Sequence, residues 1–250
     1  MTALPPVAEI QMLGDFQIWR AGTGIGLHRA EQRMIGYLAL RTRAVERATV
    51  AAALWPALTP NRGLSRVRDV LYKIKNVAPE LISAAAPRVG LADSAIVDVT
   101  QAQQYASDLL RPHAPSTTAA PLTQFTADAF CSELLPGWDE DWLVADQRAF
   151  SLLRLRALER LAQHRLTEHR FAEAEHACCA VIEAEPHRET AHLLLARVYL
   201  NEGNTSQALR TLSDLQRRLR VDLGLGASEQ MRQLAATIRA VGRKPVATVS

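Results

Sequence analysis

Residues separated by 34 positions match each other repeatedly in the second half of the chain. The matched pairs are Leu161 and Leu195, Ala162 and Ala196, Leu166 and Leu200, Glu168 and Glu202, and Ala174 and Ala208. The small residues are spaced so that two helices can approach closely. A segment with this period folds by stacking helix pairs, because one pair alone cannot bury its apolar face.

A period of 34 residues is that of tetratricopeptide helix hairpins. Aromatic residues at Phe171 and Tyr199, the turn residue Gly203 and the inter-unit Pro186 also fit that pattern. Outside the repeat, helices are predicted at 142–165, 209–221 and 228–241. Fewer than three clear repeats are visible, so these helices are expected to cap the stack. The alternative is an ordinary helical domain with coincidental alanines.

The first hundred residues predict short strands, then three helices, then a β-hairpin. The strands are predicted at 10–13, 16–19 and 25–27, the helices at 29–40, 49–55 and 61–77, and the hairpin strands at 81–83 and 88–97. Thr49 is expected to cap the second helix and Pro56 to stop it. This order is that of the winged helix-turn-helix, whose third helix enters the major groove of DNA. The predicted fold class is therefore α+β, with a winged helix and small β-sheet followed by an all-α tetratricopeptide-like domain.

The predicted third helix is strongly basic on the faces away from its apolar stripe. That stripe consists of Leu64, Val67, Leu71, Ile74 and Ala78. The predicted DNA-binding residues are Arg62, Arg66, Arg68, Asp69, Tyr72, Lys73 and Lys75, together with Arg88 from the hairpin. Arginine and lysine neutralise phosphates, and arginine can also bind the edge of guanine. Asp69 repels phosphate, so it is expected to accept from cytosine N4 or to orient Arg62 or Arg66. The alternative is a solvated amphipathic helix.

The composition of the chain and its lack of certain motifs argue against several classes of protein. Apolar residues make up 48% and charged residues 22% of the chain, which is typical of a globular protein. No apolar run is long enough to cross a membrane, and Met1 to Pro6 lack the features of a signal peptide. The three cysteines have no framework spacing, and a reducing, cytoplasmic setting is expected. The histidines are scattered, and no GxSxG motif or Walker loop occurs. No metal site, catalytic residue or cofactor is therefore predicted, and an enzyme is not expected.

Four segments are predicted along the chain. A winged helix domain at 1–100 is followed by a connecting segment at 101–127 that contains a loop rich in proline, serine, threonine and alanine. A helical domain then occupies 128–241, and a disordered tail is predicted at 242–250. The stretch from Leu134 to Trp142 places two tryptophans and three acidic residues at a helix start. We expect this stretch to fix the helical domain onto the first one.

Several short motifs together resemble the Streptomyces antibiotic regulatory protein family of transcriptional activators. They are Leu13-Gly-Asp-Phe16, Leu54-Trp-Pro56, Leu71-Tyr-Lys-Ile-Lys75, Leu134-Leu-Pro-Gly-Trp138, Phe171-Ala-Glu-Ala174, Glu185-Pro-His-Arg-Glu189 and Leu223-Gly224. The first part of the chain is similar to the OmpR-type winged helix, and the second part to the bacterial transcriptional activator domain. The chain departs from the family at the wing, where it reads Arg88-Val-Gly-Leu91 rather than a Gly-Tyr-Arg-Leu-like run.

The resemblance implies a cytoplasmic activator that binds direct repeats in double-stranded promoter DNA as a homodimer. It also implies recruitment of RNA polymerase and control of a biosynthetic gene cluster. In OmpR-like activators the loop between the second and third helices faces the polymerase, which here assigns that role to Leu58 and Thr59. The alternative function is a tetratricopeptide-like adaptor whose winged helix does not bind DNA.

Overall fold

The computed structural model describes residues 8–111 and 130–242. Two compact units are present, which among these residues comprise 8–108 with 130–153, and 109–111 with 154–242. The predicted fold class is confirmed, because a winged helix with small β-sheets precedes a wholly helical tetratricopeptide-like part. The first unit extends past residue 100, where the winged helix domain was expected to end. The predicted loop at 111–121 and the predicted tail at 242–250 lie outside the described residues, except for residues 111 and 242.

Among the described elements of the first unit are two small sheets, four α-helices and a 3-10 helix at Pro79–Leu81, together with the first turns of a further α-helix. In chain order the elements are β1 (Ala8–Gln11), β2 (Gln17–Arg20), β3 (Thr23–Gly24), α1 (Arg29–Ala39), β4 (Val45–Glu46), α2 (Arg47–Leu54), α3 (Pro60–Val77), β5 (Ile82–Ser83), β6 (Arg88–Leu91), β7 (Ala95–Val97) and α4 (Asp98–Leu110). One sheet has the order β3-β2-β1-β7, and the other has the order β4-β6-β5. The second sheet is the wing of the winged helix.

Three predictions about these elements are wrong in detail. The strand predicted at 88–97 is two strands in different sheets, since β6 joins the wing and β7 pairs in parallel with β1. The strand predicted at 25–27 is not formed, although the N–H of Ile25 still donates to the carbonyl of Ile18 at 2.8 Å. The helix α2 begins at Arg47, so Thr49 lies inside its first turn and does not cap it.

The helix α3 packs through a stripe that differs slightly from the predicted one. Val67, Leu71, Ile74 and Ala78 are buried as expected, whereas Leu64 is only half-buried. Val70 and Gly63 complete the buried face instead. At Gly63 an added Cβ would lie 3.1 Å from the Cβ of Ala51. Glycine at this position therefore allows α2 and α3 to lie closer together than any larger residue would permit.

Residues 130–153 are part of the first unit and pack on its sheet and its first helix. The N–H of Leu135 donates to the carbonyl of Met12 at 2.8 Å, which continues the pairing beyond β1. The ring of Trp138 lies 5.4 Å from that of Phe16 between centroids. The first helix is held as well, because Arg33 donates to the Glu140 carboxylate at 2.7 Å.

The second unit is formed by antiparallel helices. They are α5 (Asp141–Thr167), within which the division between the units falls, α6 (Phe171–Ala184), α7 (Glu189–Asn201), α8 (Thr205–Leu223) and α9 (Glu229–Gly242). The repeated alanines Ala162, Ala174, Ala196 and Ala208 are all fully buried, as close helix approach requires. The backbone also repeats, since His169 and Gly203, 34 positions apart, both have positive φ. The two hairpins therefore turn in the same conformation despite their different residues.

Candidate nucleic-acid interface

The helix α3 starts and stops where its flanking prolines allow. Pro60 occupies the first turn, where a missing N–H costs nothing, and Thr59 precedes it at the cap position. Pro79 follows the C-terminal end, and the N–H of Ala78 closes the last turn on the carbonyl of Ile74 at 2.7 Å. The result is a straight run of 18 residues with one buried face.

All seven DNA-binding residues predicted on this helix are exposed. They are Arg62, Arg66, Arg68, Asp69, Tyr72, Lys73 and Lys75. Tyr72 is the most notable of them, because 69% of an aromatic side chain faces solvent. Five basic residues and one acidic residue thus share the exposed surface of a single helix, which is a strong local excess of positive charge.

The direction opposite the buried stripe identifies which side chains project farthest from the protein. At about 100° per residue, that direction passes through Ser65, Asp69, Tyr72 and Asn76. Arg62, Arg66 and Lys73 line one flank of this central row, and Arg68 and Lys75 line the other. The prediction from sequence included Asp69 and Tyr72 but missed Ser65 and Asn76. The helical period would have revealed them, because both residues lie opposite the predicted stripe as well as the observed one.

The central row and its flanks differ in chemistry. Hydroxyl, carboxylate and amide groups in the central row can read base edges, whereas the basic flanks suit the phosphates on either side of a groove. Arg68 is held by Ser65, since its Nη2 donates to the Ser65 Oγ at 3.1 Å. Within the part of the chain that the structure describes, Asp69 makes no ion pair with Arg62 or Arg66. The orienting role proposed for its carboxylate is therefore not observed, which leaves it free to accept from a base.

The wing places Arg88 at a different edge of the first unit. Arg88 is exposed at the start of β6, and Glu46 of β4 lies directly opposite it in the sheet. A carboxylate in that position partly offsets the positive charge. Gly90, two residues on, packs closely on the preceding loop, where an added Cβ would lie 3.1 Å from the Cα of Ala44. The strand is thus well fixed, but it contributes a single basic side chain.

The segment between α2 and α3 carries the two residues assigned to polymerase contact. Leu58 is 40% exposed, and its N–H donates to the carbonyl of Trp55 at 3.0 Å in a tight turn. Thr59 is exposed, and its side chain makes no capping hydrogen bond to α3. Both side chains are therefore exposed, and the Thr59 side chain does not stabilise the start of α3 by a hydrogen bond.

Other classes of site were also sought across residues 8–111 and 130–242. No group of histidine, cysteine and carboxylate side chains there has the arrangement of a metal site. Over the same residues, none of the helices combines the length and apolar character that a membrane span needs. Burial raises the pKa of both the Cys178 and Cys179 thiols, which keeps them in the unreactive protonated form.

The fold and this surface define a winged-helix protein with a basic recognition-type helix and a tetratricopeptide-like second part. The sequence profile of the bacterial transcriptional activator domain matches residues 96–239, more than half of the chain. The chain therefore belongs to the bacterial transcriptional activator domain family, a family of transcription regulators. No curated protein sequence matches the chain.

Among solved structures, the chain resembles Mycobacterium tuberculosis EmbR in complex with a low-affinity phosphopeptide. The TM-score is 0.65 at 18% sequence identity, and the match covers 96% of this chain and 66% of that chain. At this identity the likeness shows the fold alone. The chain spans 66% of the length of EmbR in that structure.

Proposed function

We propose that the protein is a sequence-specific transcriptional activator that binds double-stranded promoter DNA through α3. The observation that carries this proposal is the exposed face of α3, with a polar central row between two basic flanks. Acidic and basic residues would serve equally well to keep a helix soluble. This surface instead presents five basic residues and, as its acidic residue, only Asp69. The family membership supports the same function.

In this proposal α3 lies in the major groove. The basic flanks neutralise phosphates, and the central row faces the base pairs. Asp69 accepts a hydrogen bond from cytosine N4, which is the base contact that suits a carboxylate. Arg66 lies on the flank that it shares with Arg62 and Lys73, and its side chain is long enough to reach guanine from there. Arg88 contacts the backbone from the wing.

The finer assignments rest on the motifs that resemble the Streptomyces antibiotic regulatory protein family. We infer a cytoplasmic homodimer that occupies direct repeats and recruits RNA polymerase through the loop at Leu58 and Thr59. We also infer that its target is a biosynthetic gene cluster. No cofactor or catalytic step belongs to this function.

The test is binding of the full chain to the promoter DNA beside its own gene, across a salt series. Binding should weaken steeply as salt rises, because each phosphate contact releases counterions. Replacing Arg62, Arg66 and Lys73 by alanine should lower the slope of log K against log salt by up to about three. Arg156→Ala removes an exposed arginine outside the winged helix and should leave the slope unchanged.

Specific DNA should also show a footprint of repeated sites. A shallow salt slope with no footprint would contradict the proposal and favour the adaptor function instead. Equal footprints with the triple variant would mean that α3 is not the DNA-binding element.

A further inference from the structure

A groove of about 440 Å³ lies between α8 and α9 in the second unit. Its lining includes Leu209, Leu212, Gln216, Met231, Arg232 and Arg239. Leu212 and Met231 are almost fully buried and form the floor. Small or polar residues at Ser213 and Ala235 leave the space above that floor open.

The charged residues that line the groove are all basic. Its lining contains two arginines and no carboxylate. Arg232 is partly neutralised, since its Nη2 lies 2.6 Å from a carboxylate oxygen of Glu229. Among the residues that the structure describes, Arg239 forms no ion pair. Arg220, four residues after Gln216 on the same side of α8, is exposed and adds a third positive charge near one end.

The two lining arginines are spaced along the groove. Gly242 lies beside Thr205, so the end of α9 adjoins the start of α8 and the two helices are antiparallel. Arg239 is therefore near the Leu209 end and Arg232 near the Ala227 end. Seven residues of helix separate them by about 10 Å. Two carboxylates that meet both arginines must therefore be two helical turns apart if they belong to a helix.

We propose that this groove binds an acidic amphipathic helix of a partner protein. Apolar side chains on one face of that helix would contact Leu212 and Met231, and carboxylates seven residues apart would pair with Arg232 and Arg239. Helix-in-groove recognition uses this kind of apolar stripe, and methionine adapts to the side chains that it meets. A bilayer suits the site less well, because the apolar residues form a recessed floor and not a protruding face.

The test uses the full chain and a fluorescent synthetic helix of about 18 residues. One peptide carries leucines along one face, with two glutamates seven residues apart beside them. A second peptide has the same composition, with the glutamates moved to the opposite face. The first peptide should bind about five-fold more tightly in anisotropy titrations, as one or two exposed ion pairs allow.

Variants of the chain show whether binding takes place in the groove. Arg239→Gln should weaken the first peptide about five-fold and leave the second unchanged. Gln216→Trp should block both peptides by filling the groove. Arg210→Gln is the matched control, because Arg210 is exposed on α8 but does not line the groove, and binding should stay within about two-fold.

Three outcomes would overturn the proposal. They are equal affinity for the two peptides, equal losses with Arg239→Gln and Arg210→Gln, and displacement of the peptide by micromolar decanoate, which would identify a site for small amphiphiles. Anionic phosphatidylserine vesicles that bind the wild type but not Arg239→Gln would also overturn it, in favour of a membrane site. Promoter binding by Arg239→Gln, measured in parallel, should be unchanged, so failure here leaves the proposed DNA-binding function standing.

Discussion

The carboxylate of Asp98 accepts a hydrogen bond from the backbone N–H of Met12 at 2.9 Å, although the two residues are 86 positions apart. The same carboxylate accepts from the N–H groups of Leu13 and Val99, at 2.9 and 2.6 Å. The Asp98 side chain, at the start of α4, thus provides the hydrogen-bond acceptor for the two backbone N–H groups that follow β1. Met12 is fully buried, so its N–H has no access to water as a substitute partner.

Replacing Asp98 by alanine should lower the free energy of unfolding of the first unit by about 1–3 kcal/mol, because buried N–H groups lose their acceptor. All four tryptophans of the chain, Trp19, Trp55, Trp138 and Trp142, belong to this unit, so tryptophan fluorescence in urea reports on it. Asp93→Ala, at an exposed turn, is the control and should change the value by less than about 0.5 kcal/mol. Similar values for the two variants would mean that these hydrogen bonds contribute little.

Acid should destabilise the second unit through His192. This side chain is 5% exposed and its Nε2 lies 3.0 Å from the carbonyl oxygen of Pro186, so the neutral ring donates there. Burial lowers the pKa of His192 below its ordinary value, with Arg218 and His187 adding to the effect. Below about pH 6.5, His192 therefore binds a proton in the unfolded chain but stays neutral in the folded chain until the pH reaches its lowered pKa. Stability from this group is present above that pH and is lost as the pH falls toward the folded-state pKa.

The measurement is urea unfolding followed by helical circular dichroism between pH 7.5 and pH 5. His192→Gln keeps a donor for Pro186 but does not titrate, so its free energy of unfolding should fall less than that of the wild type. The difference cannot exceed about 1.4 kcal/mol per pH unit for one proton. Parallel curves for wild type and His192→Gln would contradict the prediction.

The long side chain of Arg66, on one flank of α3, gives a test of base reading. Arg66→Ala should cost about 1–3 kcal/mol on the cognate site and relax selectivity at one base pair. Arg68→Ala, on the opposite flank, should weaken cognate and random DNA alike, as expected of a phosphate contact. The readout is the affinity for a set of single-base operator variants. An equal loss on cognate and random DNA for Arg66→Ala would show that it contacts only phosphate.

The loop before α3 should separate activation from DNA binding. Replacing Leu58 by serine and Thr59 by alanine removes an exposed apolar side chain and breaks no side-chain cap of α3. Operator affinity should therefore stay nearly unchanged while transcription in a purified polymerase assay falls. Parallel losses would mean that the loop only supports α3. No change in either would place activation elsewhere in the chain.

Features that repeat along the chain could be predicted from the amino-acid sequence. The 34-residue interval predicted helix pairs in contact, and Ala162 and Ala196 are indeed fully buried. The apolar spacing likewise predicted α3, whose bounds at Pro60–Val77 differ from the expected 61–77 by a single residue. The spacing within α3 arises because a helix returns the same face to the core every three or four residues. The 34-residue interval arises because each helix pair repeats the contacts of the pair before it.

The pairing of distant segments could not be predicted in this way and is seen only in the folded chain. The strand β7 pairs in parallel with β1, and the N–H of Leu135 donates to the carbonyl of Met12. Neither contact follows from a turn motif or a period in the sequence. The face of α3 was decided in the same way. Gly63 is buried where α2 approaches closely at Ala51, and Val70 is buried on the same face of α3, although neither residue was part of the predicted stripe. Contacts between residues far apart in the chain depend on shape and packing, and these are properties of the assembled fold.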